Sequence, residues 1–464
     1  MDQALKSFKK LPVLLVYLAM MLLAAVCFYF INLKGQLLVS PTQSLPTVLS
    51  DQAHAQMNSL IQILLALSVV IIAAQAMGAL FRFLGQPLVI GEVVGGILLG
   101  PSFLGKFFPE IQQAVLPQTS MPFLGIIAQL GVVFYMFVVG LELDLKLLKK
   151  SGHTTLAISH ASIIAPFILG TLLALSIYQE LSLPEVSFTN FALFLGVSLS
   201  VTAFPVLARI LTDKKINKTK MGTLALTCAA IDDVTAWCLL AVVVSVAQSA
   251  FGGAIKTIVL TFLYIASMFF IGGPLMRRLV PWLEKFDRIT EGGIAAFFIA
   301  LLLSALATEL IGIHAIFGAF LLGAITPHDS RVAKELTDRM EDLVRIVFLP
   351  AFFAFTGMRT EFNLLGSLND WQLCGLIILV ATLGKFGGTF IAARLNGLSW
   401  RDSSALGILM NTRGLVELIV LNLGLDLKII SPRLFTMLVM MALSTTFATS
   451  PIFSFITRKN PWQE

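Results

Sequence analysis

Charged residues are what this 464-residue sequence lacks. They make up 12% of it, where a soluble domain carries about a quarter, and hydrophobic residues make up 57% with a mean hydropathy of +0.90. That excludes a soluble globule and requires a chain that crosses a bilayer many times. Cysteine is scarce as well. The four present (Cys27, Cys228, Cys238, Cys374) form no CxxC and no Cys/His spacing, which argues against a disulfide framework and a zinc site. The five histidines are scattered along the chain, with no second ligand at helical spacing, so a metal site is not expected. The net charge is +6, but no basic stripe with interleaved aromatics occurs, so nucleic acid is not an expected partner. No Gly-rich fingerprint follows a strand pattern, and no cofactor is expected.

What is present is a series of apolar runs, which predicts an all-α polytopic membrane protein. About fourteen spans fall at roughly 11–33, 59–81, 88–100, 122–140, 154–178, 190–211, 221–248, 253–276, 291–311, 313–326, 342–357, 371–393, 403–424 and 433–456. The first resembles a signal peptide at its start, after Lys6, Lys9 and Lys10, but is too long and lacks a small-residue cleavage site. The expected organisation is an N-terminal helix with an external loop (1–58), a transmembrane domain (59–456) and a short cytoplasmic tail (457–464). Loop charge orients it. With the N-terminus cytoplasmic, the inside loops collect Lys146, Lys149, Lys150, Lys214, Lys215, Arg277, Arg278, Arg331, Lys334 and others, and the outside loops keep only Lys34, Lys106, Arg359, Lys428 and Arg433. This asymmetry places both termini inside.

The most expensive residues are Asp232 and Asp233, side by side near the middle of span 221–248. One Asp at the centre of a membrane helix costs roughly 2.5–3.5 kcal/mol on the insertion scale. Two of them need a cavity, a cation or a basic partner, and an ion or proton site is the default reading. A purely structural salt bridge or cap is the plainer one. Neighbours on a helix point about 100° apart, so the two carboxylates face different surroundings. Lys385 is the only lysine deep within an apolar span, and its nearest carboxylates at that depth are Asp232 and Asp233.

Two polar interruptions complete the set. Thr202-Ala203-Phe204-Pro205 interrupts one span, where Pro205 removes a backbone donor. Asn411-Thr412-Arg413-Gly414 interrupts another, with Glu417 one turn on. Arg413 and Glu417 at i, i+4 suggest first a buried ion pair holding that helix, and second a direct role in transport. Glu92 and Glu309 are pathway or packing carboxylates, Glu142 and Asp144 interface residues, and Arg209 and Arg345 snorkel.

The two halves of the chain resemble each other in order. Residues 89–101 match 315–327 with Gly91 opposite Gly318 and Gly96 opposite Gly323, residues 134–148 match 351–365, and Thr202 matches Thr412. By the charge count each copy lies on the opposite side of the membrane, which predicts an inverted-topology repeat with substrate near the midplane.

Residues 228–237 (CAAIDDVTAW), 383–427 and 431–451 resemble the monovalent cation/proton antiporter 2 (CPA2) family, close to plant cation/H+ exchangers and cyanobacterial Na+/H+ antiporters, over about residues 59–456. The resemblance implies a thirteen-helix antiporter fold, here with one extra N-terminal helix, and two crossed discontinuous helices at Thr202 and Thr412. It implies that Asp233 binds Na+ and a proton in competition and that Asp232 pairs with Lys385. It further implies a core that moves like an elevator against a dimerising scaffold, electrogenic exchange, a homodimer, and a bacterial plasma or thylakoid membrane. Potassium-efflux relatives carry Gln where Asp232 stands, and the plant exchangers have a long cytosolic tail that is expected to be lacking here.

The expected function is Na+/H+ antiport, not an enzymatic activity, with K+/H+ exchange the alternative and Li+ a further candidate ion. A cation channel fits less well, because no filter-like carbonyl loop is found. An intramembrane aspartyl protease needs acids that meet from separate helices, and these two are neighbours on one.

Overall fold

The computed structural model describes residues 13–36, 38, 59–142, 152–214, 216, 219–248, 254–285 and 290–457. Most of the expected external loop, Asp144 and the tail from Arg458 lie outside the described residues. Every regular element among the described residues is helical, as a bilayer demands of a chain that must satisfy its own backbone.

In chain order the main helices are α1 (Val13–Gly35), α2 (Ser59–Phe83), α3 (Leu88–Leu99), α4 (Met121–Glu142), α5 (His153–Leu181), α6 (Phe188–Ser198), α7 (Phe204–Asp213), α8 (Lys220–Gln248), α9 (Ala254–Ser267), α10 (Gly273–Leu283), α11 (Glu291–Ile311), α12 (Ala315–Ile325), α13 (Arg331–Leu343), α14 (Leu349–Met358), α15 (Leu368–Leu395), α16 (Trp400–Met410), α17 (Leu415–Asp426) and α18 (Pro432–Thr457). Single π turns, Met268–Gly272 and Val344–Phe348, join α9 to α10 and α13 to α14. Among the described residues, ten helical segments are long and apolar enough to cross a membrane, and three shorter apolar helices accompany them. The expected span 342–357 is the apolar end of a longer helix, whose polar start, α13, is capped by the Ser330 hydroxyl.

Packing divides the helices into two bundles. The first contains α5, α6, α7, α8, α15, α16, α17 and α18, and the second contains α2, α3, α4, α11, α12, α13 and α14. The α9–α10 segment links them, running from α8 to α11 and α12. The extra helix α1 lies on α5 and α6 of the first bundle, where Thr189 donates to Asn32 at 2.7 Å and the rings of Phe28 and Phe167 lie 6.2 Å apart.

The second bundle carries the internal repeat visibly. Gly96 of α3 and Gly357 of α14 sit so close that a Cβ on either would overlap the other helix's backbone, and Gly140 of α4 and Gly323 of α12 repeat that contact. Gly91 abuts Met77 of α2 as Gly318 abuts Ser304 of α11. The unit α2–α3–α14 is thus duplicated as α11–α12–α4, with small residues allowing the close approach that lipid-facing helices need in order to associate. The copies are inverted. The ends of α3 and α14 meet at the face where α4 begins, beside a shared cleft, whereas α12 ends beside the end of α4.

Candidate functional site

The site is built where two helices break. Helix α6 stops at Ser198, residues 199–203 leave the helix, and α7 starts at Phe204. The break therefore precedes Pro205. Rather than interrupting a helix in its middle, Pro205 stands in the first turn of α7, where a missing N–H costs nothing because it would have no intrahelical partner. Helix α16 likewise stops at Met410 and α17 starts at Leu415, leaving Asn411, Thr412, Arg413 and Gly414 between them.

The two breaks meet. The N–H of Ala203 donates to the carbonyl of Thr412 at 3.0 Å, and the Thr202 hydroxyl lies 3.2 Å from the carbonyl of Met410. Arg413 is wholly buried and donates to the carbonyls of Ser198 and Leu199 at 3.0 and 2.6 Å. Those carbonyls are at the end of α6, where the helix dipole is negative and four acceptors lack intrahelical donors, so a guanidinium fork satisfies charge and hydrogen bonds together. Arg413 also pairs with Glu417 at 3.0 Å, and Glu417 sits in the first turn of α17, at that helix's positive end. Thr446 of α18 binds both the N–H and the carbonyl of Arg413. Asn411 is buried, and its Oδ1 has no hydrogen-bond donor.

Asp232 and Lys385 are each fully buried and form an ion pair, Nζ to Oδ2 at 3.0 Å. The pair is tightly housed. Ser162 donates to Asp232 at 2.5 Å, Ser159 donates to its other oxygen, and the Thr202 hydroxyl lies 2.9 Å from Oδ2. The ammonium also reaches the carbonyl of Ser200 at 2.5 Å and the hydroxyl of Ser162 at 3.5 Å, which uses its three donors. Lys385 can approach because Gly384 and Gly388 of α15 lie against Pro166 and Ala161 of α5; Gly387 faces open space and takes no part.

Asp233 has different surroundings. Only 6% exposed, it takes the backbone N–H of Phe204 at the start of α7, and its Oδ1 has no hydrogen-bond partner. One turn further along α8, Trp237 packs edge-on against Phe317 and stacks with Phe320 of α12, with ring centres 5.6 and 6.3 Å away. Asp233 is thus a buried carboxylate with spare ligating capacity, next to one that is already neutralised.

Ser159, Ser162 and Ser200 were not singled out from the sequence. Ser159 and Ser162, three apart in the membrane-crossing part of α5, form a polar stripe that could have been found by its spacing. Ser200 contributes only its carbonyl and carries no side-chain signal. Glu309 caps α12 by accepting the N–H of Ala315 at 2.7 Å, and Glu92 is buried in α3. Arg345 is largely exposed and pairs with Glu341 at 2.6 Å.

An inverted helical repeat, two broken helices that meet, and ionisable residues buried beside the breaks together define a secondary transporter of the membrane. The chain belongs to the sodium/hydrogen exchanger family: the model of the transmembrane domain, "Sodium/hydrogen exchanger, transmembrane", matches residues 43–459. It is 42% identical to the Na+/H+ antiporter NhaS4 of Synechocystis sp. over 85% of this chain and 97% of that one. It is 39% identical to cation/H+ antiporter 20 of Arabidopsis thaliana over 86% of this chain, and 36% identical to K+/H+ antiporter 1 of Saccharomyces cerevisiae over 80%. The chain spans about half the length of these plant and yeast relatives, 49% and 44%. In fold it resembles the solved sodium proton antiporter MjNhaP1 of Methanocaldococcus jannaschii, with a TM-score of 0.61 at 14% identity over 86% of this chain and 97% of that one.

Proposed function

We propose that this chain is a secondary antiporter that exchanges Na+ for H+ by alternating access, with Asp233 as the shared cation and proton ligand. The observation that carries the proposal is the unpartnered Oδ1 of Asp233, a buried carboxylate oxygen beside the fully engaged Asp232–Lys385 pair. A lone carboxylate at that depth is too costly to leave empty and ionised, so it holds either a proton or a cation. Occupancy by one excludes the other, which is the coupling an antiporter needs.

Lys385 neutralises Asp232 while Asp233 is protonated. Arrival of Na+ at Asp233 brings a positive charge close to the Lys385 ammonium and loosens its pairing with Asp232. Displacement of the Asp233 proton alone is a one-for-one, electroneutral exchange; release of a second proton, from the Lys385 ammonium as it leaves Asp232, would make the exchange electrogenic. Thr202 and Asn411, at the two breaks, supply oxygens near the same crossing. Arg413 and Glu417 hold the breaks together and take no direct part.

The first bundle, which contains the site, moves as one body against the second, which forms the homodimer contact. In a topology of fourteen crossings with both termini cytoplasmic, the face at which α14 and α17 end is external. The name of NhaS4 favours Na+; the name of the yeast relative keeps K+/H+ exchange as the alternative.

The test is a proton-gradient assay in everted vesicles. Added Na+ should dissipate the gradient with wild type and fail to do so with Asp233→Asn. Dissipation that survives Asp233→Asn defeats the mechanism, and a response to K+ but not to Na+ selects the alternative.

A further inference from the structure

A set of polar contacts joins the two bundles at one face. Arg359, at the end of α14 in the second bundle, pairs with Asp426 at the end of α17 in the first, Nη2 to Oδ1 at 2.6 Å. Its Nη1 donates to Asn422 at 3.0 Å, and Asn422 donates to Thr356 of α14 at 2.7 Å. Gln129 of α4 reaches the other oxygen of Asp426 at 3.3 Å, and the N–H of Glu361 donates to Thr436 of α18 at 3.1 Å. Each contact joins a residue of one bundle to a residue of the other.

We propose that Arg359 and Asp426, with Asn422 and Thr356 behind them, form the external gate of the exchanger, a latch that must open each time the site turns outward. The proposal rests on the alternating-access reading above and adds residues that lie far from the ion site. Three features suit the pair to that work. First, it is half-open to water. The side chains are 21% and 32% exposed, and both line a cleft of about 1060 Å³ on that face, together with Gln129 and Glu361. A solvated ion pair gives up little stability when it separates, unlike the wholly buried Lys385–Asp232 pair. Second, each partner is attached to a rigid part of its bundle. Arg359 follows an α14 held against α3 through Gly357 and Gly96, and its guanidinium lies 5.4 Å from the ring centre of Phe355. Asp426 ends the half-helix α17, whose first turn carries Glu417 and follows the break at Asn411–Gly414. A shift of the crossing is thereby passed along one short helix to the latch. Third, an aromatic contact between the bundles lies next to the site. Trp237 of the first bundle is wedged against Phe317 and Phe320 of the second, one turn from Asp233 on the side of α8 that runs toward this face. The polar latch and the aromatic contact together describe a state closed to the Arg359 face.

Two measurements on reconstituted protein decide the matter, after Na+/H+ exchange by the unmodified chain has been established; without that exchange the function itself fails, and the gate is not what has been refuted. In a chain with its four cysteines replaced, Arg359→Cys and Asp426→Cys, which line the open cleft, are joined by a short thiol-specific disulfide-containing cross-linker. Exchange should fall at least tenfold and return on reduction, the reduced form serving as its own control for folding. Full exchange in the cross-linked protein overturns the gate. Separately, Asp426→Asn and Arg359→Gln should lower the apparent KM for Na+ on the external face relative to the internal one by threefold or more. The exchange of charges, Arg359→Asp with Asp426→Arg, should bring the ratio back. A ratio unmoved in both single variants also overturns the proposal, and if those variants do not fold, the cross-link decides alone.

Discussion

Asp232 and Asp233 are adjacent in the chain yet meet opposite circumstances. Asp232 is held by Lys385 at 3.0 Å with three hydroxyls around it, and Asp233 has one backbone N–H and an oxygen with no partner. The roughly 100° between neighbours on a helix turns the first toward α5 and α15 and the second toward the start of α7. The difference in their surroundings follows from that divergence and from nothing in their chemistry.

The competition proposed for Asp233 predicts a definite pH dependence. Lowering the pH fills the carboxylate with a proton, so the apparent KM for Na+ should rise about tenfold per pH unit over the acidic limb, with the maximal rate little changed. Saturating Na+ should abolish that limb. Initial rates of exchange across a grid of pH and Na+ concentration give the answer, and a KM independent of pH would refute competition at one group.

Breaking the buried pair from one side should cost more than removing it. Lys385→Met leaves Asp232 without a counter-charge and should destabilise the fold by about 3–5 kcal/mol, while adding Asp232→Asn recovers much of that. Thermal unfolding in detergent of the two single variants and the double variant completes a cycle. Additive losses would mean the two residues do not interact.

The glycines of the repeat differ in what they tolerate. Gly96→Ala drives a methyl group into the Ala354 backbone and should cost about 1–3 kcal/mol, visible as lost expression and a lower melting temperature. Gly387→Ala meets nothing within 4 Å and should be neutral or slightly stabilising, since Ala is favoured over Gly in a helix by about 1 kcal/mol. Equal effects of the two substitutions would contradict the packing described.

Helix α1 should travel with the first bundle, on which it lies. Cross-linking Phe28→Cys to Phe167→Cys should therefore leave exchange intact, in contrast to the bridge across the latch. Arrest by the α1 cross-link would assign α1 to the stationary part.

Much of the architecture was legible in the chain. The Gly91/Gly318 and Gly96/Gly323 matches are the close contacts of the two repeat units, because only glycine permits such an approach and its position is fixed by backbone geometry. The interruptions at Thr202 and at Asn411–Gly414 were equally readable, since a polar run in an apolar span is costly wherever it falls. The cause assigned to the first was mistaken: Pro205 starts α7 and does not break it, because proline disrupts a helix interior but suits its first turn. Residues that act through backbone carbonyls, such as Ser200, left no trace in the sequence, nor did the pairing of Arg359 with Asp426, 67 positions apart in order and on different bundles.

By itself the sequence determined that the chain is a membrane-crossing helical protein, that its halves are related, and that Asp232, Asp233 and Lys385 need partners. Each of those follows from the cost of transferring a residue into lipid, which is local and can be read one position at a time. The family resemblance pointed to Asp232 as the partner of Lys385, but only the tertiary structure decided the geometry of that pair, which oxygen is left over, and which polar residues join the two bundles. Those are matters of distance between segments remote in the chain, and an ion pair forms or fails on a few ångströms that no local pattern encodes.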